Sequence, residues 1–160
     1  MNNENIEIRP VHENELDTVA GIYKEAFISS GFEEGWTDET AKQKVEFLYK
    51  LQPDLFLIAI CDGQIAGGIA SVVKPWWTKP YISDLDIFID LNFQGKGLGK
   101  ILLKRHLEEA IEKYGIESVE TSAALKTEFP LSWYKRIGLQ PITKAVYIEG
   151  KAEEILKKIK

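Results

Sequence analysis

The sequence predicts a single α/β domain in which a mixed β-sheet is covered by helices. Three observations carry that expectation. The chain has 160 residues, within the range of roughly 100 to 200 that one hydrophobic core serves. β-type runs interleave with runs whose apolar residues recur every three or four positions, in the order β α α β β β α β α β. One strand, Tyr81 to Asp90, is joined to another, Ile116 to Ser122, through a whole helix, and such a crossover makes two strands parallel.

Taken in order, Ile6-Glu7-Ile8-Arg9-Pro10 alternates with period two and ends on proline, as a short first strand leaving its sheet does. Leu16, Val19, Ala20, Tyr23 and Phe27 then form one helical stripe that breaks near Ser29-Ser30-Gly31. A second helix runs from Asp38, taken as its cap, through Val45, Leu48, Tyr49 and Leu51 until Pro53. The segment between them, Gly31 to Thr37, is either a packed connection or a loop over a site. Leu55 to Cys61 and Gln64 to Val73 are strands joined by Asp62-Gly63, a two-residue hairpin turn, and are therefore antiparallel. Gly67-Gly68 inside the second of them predicts a bulge or a close approach by another group. After the Pro75 to Pro80 connection comes the strand Tyr81 to Asp90. A glycine loop follows, then an amphipathic helix from Leu98 to Tyr114 that Gly115 ends. A strand at Ile116 to Ser122, a short helix at Leu131 to Ile137, a strand at Lys144 to Glu149 and an amphipathic tail helix with Ile155, Leu156 and Ile159 on one side complete the chain.

Composition narrows the function. Residues are 44% hydrophobic and 28% charged, as in an ordinary globular protein. The net charge of −5 speaks against a nucleic-acid partner, which needs a basic face. No run approaches the roughly 18 to 20 apolar residues of a membrane helix, and the polar start has no signal-peptide pattern, so a cytoplasmic protein with no membrane partner is expected. The single Cys61 makes no internal disulfide and supplies no zinc cluster, so no metal is expected.

The most informative segment is Asp84 to Lys100, a strand, a glycine loop and a helix start. Backbone N–H groups at a helix N-terminus, with glycines that admit close approach, form an anion site. The dinucleotide fingerprint would need a third glycine at Lys100, and a P-loop would need Ser or Thr after Lys100, where Ile101 stands. The segment instead fills Q/R-x-x-G-x-G/A with Gln94, Gly97 and Gly99, and Trp133 to Leu139 reads like F-Y-x-x-x-G-F. On these residues and on its element order, the chain resembles the GNAT superfamily of N-acyltransferases over nearly its full length.

That resemblance implies a central, mostly antiparallel sheet with one parallel, splayed strand pair, and acetyl-coenzyme A as co-substrate. It assigns the pyrophosphate to backbone amides of Gly95, Lys96, Gly97, Leu98, Gly99 and Lys100 beside Gln94, and the pantetheine amides to the strand edge at Ile87 and Ile89. Tyr134 matches the position that protonates or hydrogen-bonds the coenzyme A sulfur; its other reading is a core aromatic. Thr127 and Pro130 depart from the family's N-x-x-A-x-x-F-Y.

Acetyl transfer to an amine needs a neutral amine, a stabilised oxyanion and a proton for the thiolate. Cys61 ends an apolar run and reads as a buried small hydrophobe, so direct attack is expected rather than an acyl-enzyme. His12 and His106 read as surface residues. Asp84 and Asp86, two apart and hence on one face opposite Leu85, Ile87 and Ile89, are either general-base candidates, with crowding raising one pKa, or acids solvated or salt-bridged on a partly exposed face. Trp76-Trp77 with Tyr81 either walls an acceptor pocket or covers core or a homodimer partner. Phe32 and Trp36, with Glu33 and Glu34, hint at a cationic acceptor. The expected activity is transfer of an acetyl group to a primary amine of a small molecule or protein; the other function compatible with the loop is a non-catalytic acyl-coenzyme A sensor.

Overall fold

The apolar pattern organises the chain around a five-stranded sheet. The elements are β1 (Ile6–Pro10), α1 (Leu16–Ile28), α2 (Asp38–Leu51), β2 (Leu57–Cys61), β3 (Gln64–Lys74), β4 (Tyr81–Ile89), α3 (Leu98–Tyr114), β5 (Ser118–Val119), α4 (Leu131–Arg136) and α5 (Ala152–Lys158). They come from a computed structural model that describes residues 6–30, 35–124, 128–143, 145 and 148–159. The strands stand in the order β1-β2-β3-β4-β5. The first three pairings are antiparallel and the last, β4 with β5, is parallel.

Because strand side chains alternate, the sheet feeds two cores. On one face Ile58, Ala70 and Phe88 pack with the stripe Leu16, Val19, Ala20 and Tyr23 of α1 and with Ala41, Val45 and Leu48 of α2. On the other Leu57, Ala59, Ile69, Ile82 and Leu85 meet Leu98, Leu102, Leu103 and Ala110 of α3. Gly68 permits this layering: a Cβ there would lie 2.6 Å from Phe88 Cζ and 3.1 Å from the Leu57 carbonyl oxygen. Both readings of Gly67-Gly68 hold: the Phe88 ring approaches Gly68, a Cβ on Gly67 would lie 2.5 Å from the Phe88 carbonyl oxygen, and the register with β2 shifts beside Gly67.

A bulge in β4 decides the shape of the cleft. Ala70 pairs with Asp86 and Val72 with Ser83, so Ser71 alone faces two residues, Asp84 and Leu85. Asp84 absorbs the extra residue with φ +52, a conformation that Asp tolerates better than most side chains. The extra residue resets the alternation: Ile82 and Leu85, three apart, both reach the α3 core, while Asp86 turns to Tyr23 of α1. Pairing with β5 ends at the same place. Tyr81 and Ile82 pair with Ser118 and Val119, the Glu120 amide donates to the Ile82 carbonyl at 2.8 Å, and from there the two strands part.

Several expectations change. Residues 55 and 56 belong to a short 3-10 turn and its end, so β2 starts at Leu57. Thr37, not Asp38, caps α2, its Oγ1 accepting from the Thr40 amide at 3.1 Å. The strand expected at Ile116 to Ser122 shrinks to Ser118–Val119, because β4 pairs with it only at Tyr81 and Ile82, before the bulge at Asp84. The strand expected at Lys144 to Glu149 falls on a stretch in which residues 144, 146 and 147 lie outside the described ones. In the tail helix Ile155, Leu156 and Ile159 are exposed. His106 is not a surface residue. It is fully buried, spaced four from both Leu102 and Ala110 on the inner stripe of α3, and its Nε2 lies 2.7 Å from Ser71 Oγ. No helix among the described residues is long and apolar enough to cross a membrane.

Candidate active site

Where β4 and β5 separate, a cleft of about 1040 Å³ opens between the β4 edge, the start of α3, α4 and the inner ends of α1 and α2. Its wall is a strand edge without a strand. The Asp90 amide donates to the Ala66 carbonyl at 3.0 Å, so Ile89 and Gly67, directly opposite, form a non-hydrogen-bonded pair. Ile87 and Ile89 therefore turn their backbone groups away from β3, toward the cleft. Among the described residues no strand takes them up. The Leu85 carbonyl accepts from Thr121 Oγ1 at 3.0 Å and the Ile89 carbonyl from Gln94 Nε2 at 3.0 Å. The edge is thus pinned at both ends and open at Ile87.

The glycine loop closes one end. Gly95 and Gly97 have φ of +73 and +81, and a Cβ on either would meet nothing within 4 Å. Gly97 caps α3, and the amides of Lys100 and Ile101 both return to its carbonyl, at 3.1 and 3.3 Å. The amides of Leu98 and Gly99 precede any intrahelical acceptor and are the orphan donors of this helix start. A Cβ on Gly99 would lie 3.8 Å from Ile87 Cγ2, so loop and strand edge stand side by side. Gln94, Gly95, Gly97, Leu98, Gly99 and Lys100 line the cleft with Ile87 and Ile89. Lys96 does not; its Nζ donates to the Asn92 carbonyl at 2.7 Å and lies 5.2 Å from the centre of the Phe93 ring.

The other end holds the titratable groups. Tyr134, on α4, is 8% exposed and faces the cleft. Burial raises its pKa above that of a free tyrosine, the Asp86 charge acts the same way, and a hydrogen bond with Thr121 opposes both. Asp86 Oδ2 accepts from Tyr23 Oη at 3.1 Å and lies 3.4 Å from Lys44 Nζ of α2. Asp84 pairs instead with Lys74, at 2.7 Å, and accepts from Ser83 Oγ at 3.2 Å. The lysine hydrogen bond holds the Asp84 carboxyl below its usual range, the reverse of the crowding expected between the two acids. Tyr23, Phe27, Trp36 and Phe88 add an aromatic wall.

These contacts sort the sequence candidates. Tyr134, Asp84, Asp86 and the loop residues other than Lys96 meet in one cleft. Trp76 and Trp77 do not line it; they are 59% and 84% exposed, with Trp76 edge-on to Tyr81. Residues 32–34 and 127 lie outside the described ones. Cys61 is a buried free thiol, as its apolar run indicated. Sequence reading missed Thr121, Lys44 and Tyr23. Only the break in the alternation of β4, apolar at both Ile82 and Leu85, hinted at the bulge that brings Asp86 to them.

The open edge beside a helix-start anion cradle is the arrangement expected of an acyl-coenzyme A enzyme, and the model of the acetyltransferase (GNAT) family matches residues 17–138. The chain belongs to the GNAT family. An N-acetyltransferase of Methanocaldococcus jannaschii, itself described as uncharacterized, is 27% identical over 139 residues, covering 83% of this chain. The chain spans 60% of the length of that curated relative. An integron cassette protein from the mobile metagenome of V. cholerae superposes with a TM-score of 0.73 at 18% identity, with 99% of each chain covered. An aminoglycoside N-acetyltransferase solved in complex with CoA gives 0.71 at 16%, covering 95% of this chain and 99% of that one. At such identities the likeness is one of fold.

Proposed function

We infer that this GNAT chain transfers an acetyl group from acetyl-coenzyme A directly to a primary amine of a small molecule or protein. The observation that carries the reading is the open β4 edge at Ile87 in the same cleft as the orphan amides of Leu98 and Gly99 and the phenol of Tyr134. The residues present fit the co-substrate. An unpaired strand edge accepts a linear amide chain through main-chain hydrogen bonds, and a helix start with glycines of positive φ accepts a pyrophosphate. Gln94 serves by tying the loop to Ile89.

When bound, acetyl-coenzyme A supplies the acetyl group as a thioester. Asp86 attracts the amine and takes the proton it loses, directly or through water. Asp84, half exposed and committed to Lys74, is the poorer base; its part is to hold the bulge that aims Asp86. Tyr134 stays protonated at neutral pH, because burial raises its pKa, and its Oη gives a proton to the departing sulfur. Thr121 fixes Leu85 in the same cleft. The buried, free Cys61 fits a reducing compartment such as the cytoplasm.

Calorimetric titration with acetyl-coenzyme A tests the reading, with Gly97→Glu as the comparison. Glutamate puts strain at φ +81 and negative charge into the cradle, so the variant is expected to lose binding while keeping its fold. Thiol release with an amine panel then separates an enzyme from a sensor. A folded wild-type protein that does not bind acetyl-coenzyme A would overturn the assignment.

A further inference from the structure

The acceptor end of the cleft carries charges of both signs. Lys44 Nζ lies 3.4 Å from Asp86 Oδ2, their side chains are 28% and 20% exposed, and both line the cleft. Asp84 is drawn off to Lys74 at 2.7 Å, so Lys44 and Asp86 form the ion pair nearest Tyr23 in a cleft whose wall also carries Glu120 and Arg136. Around the pair stand rings: Tyr23 stacks on Phe27 at 4.4 Å and meets Trp36 and Phe88 edge-on, each at 5.3 Å.

A polyamine fits such a site poorly. Its first ammonium pairs with Asp86, but a second is driven against Lys44 in a partly buried setting, where like charges repel more strongly than in water. An amine on a neutral body satisfies Asp86 and leaves Lys44 stripped of its partner. A molecule with a carboxylate next to its amine satisfies both, exchanging one ion pair for two without leaving a charge unpaired. The aromatic wall then takes whatever apolar group the same carbon bears.

We propose that the acceptor is a free α-amino acid with an apolar or aromatic side chain, its ammonium against Asp86, its carboxylate against Lys44 and its side chain against Phe27 and Trp36. This rests on the acetyl-transfer reading. In the reaction the ammonium first loses one proton through Asp86 to solvent; the neutral amine nitrogen then bonds the acetyl carbon as the carbon–sulfur bond breaks, its second proton passes to Asp86, the sulfur takes a proton from Tyr134, and solvent exchange returns the Asp86 proton and reprotonates Tyr134, for a net release of one proton. The products are an N-acetyl amino acid and free coenzyme A.

The experiment compares L-phenylalanine, phenethylamine, which lacks only the carboxylate, and spermidine in a thiol-release assay, with mass spectrometry of the product. It uses wild type, Lys44→Met and Lys44→Arg, each shown to be folded by circular dichroism. In wild type, kcat/KM for phenylalanine is expected to exceed that for either other amine at least tenfold. Lys44→Met is expected to reduce the phenylalanine-to-phenethylamine ratio tenfold or more, and Lys44→Arg to keep it. Equal or better use of phenethylamine or spermidine, no use of phenylalanine, or a ratio untouched by Lys44→Met would overturn the proposal. Titration with acetyl-coenzyme A tells the two failures apart: binding with turnover of other amines removes only the amino-acid acceptor, whereas no binding removes acetyl transfer itself.

Discussion

The buried pair of His106 on α3 and Ser71 on β3 should make the fold lose stability in mild acid. The His106 ring is pushed down from 6.5 to about 4, chiefly by burial, against the opposing pull of Glu109. The folded-state pKa lies below the unfolded one. The stabilisation is therefore fully present above 6.5 and drains away as the pH falls toward 4, because the unfolded chain takes up a proton that the folded chain refuses. At pH 5 the unfolded ring is nearly all protonated and the folded ring still mostly neutral, a difference of about 2 kcal/mol at about 1.4 kcal/mol per pH unit. Glu15, held down to about 2 by its hydrogen bond with Arg9, loses its contribution only below its ordinary value of 4.5, outside this window. Urea unfolding at pH 7.5 and pH 5 measures the drop, with His106→Phe as the comparison and His12→Gln as the exposed control. The drop is expected in wild type and in His12→Gln and should be absent from His106→Phe. A wild-type stability that is flat between the two pH values, or a His106→Phe variant that keeps the drop, refutes the argument.

Three further outcomes follow from the same contacts. Gly68→Ala forces a methyl against the Phe88 ring at 2.6 Å and should lower stability by about 1 to 3 kcal/mol, read as a fall in Tm; an unchanged Tm would mean that the ring moves freely. Tyr134→Phe should cut turnover by about a hundredfold or more while acetyl-coenzyme A affinity changes little, since the role proposed for Tyr134 belongs to its phenol and not to its ring; unchanged turnover removes Tyr134 from the chemistry. Asp86→Asn should cost more activity than Asp84→Asn, and raising the pH should restore part of it by deprotonating the amine in solution; full activity in Asp86→Asn discards the base, and a larger loss in Asp84→Asn assigns that role to the other acid.

Local signals account for what was legible in advance. The stripe Leu16, Val19, Ala20 and Tyr23 is buried as its spacing requires, and α3 starts after Gly97 and ends at Gly115, both with positive φ. Asp62 and Gly63 adopt φ of +51 and +76, the turn their pairing announced. The glycine loop was readable for the same reason: its chemistry belongs to consecutive backbone amides. His106 was misread because Lys104, Arg105 and Glu108 colour its neighbourhood in the chain, while helical geometry groups it with Leu102 and Ala110. The tail's apolar residues announced a helix but not a surface to bury them.

By itself, then, the sequence determined the order of elements as far as α4, the antiparallel hairpin, the parallel crossover and the glycine-bounded start of α3, since each follows from local pattern and turn chemistry. Only the tertiary structure decided which partners the two acids take. A single extra residue in β4 resets the alternation after Asp84, sends Asp84 to Lys74 and carries Asp86 to Tyr23, 63 positions earlier in the chain, and to Lys44. Pairing with β5 stops before the same bulge, and among the described residues no strand covers the outer edge of β4 at Ile87. Strand register is a contest between two strands for hydrogen bonds and core volume, and no residue of β4 settles it without Ser71 and the helices on either side.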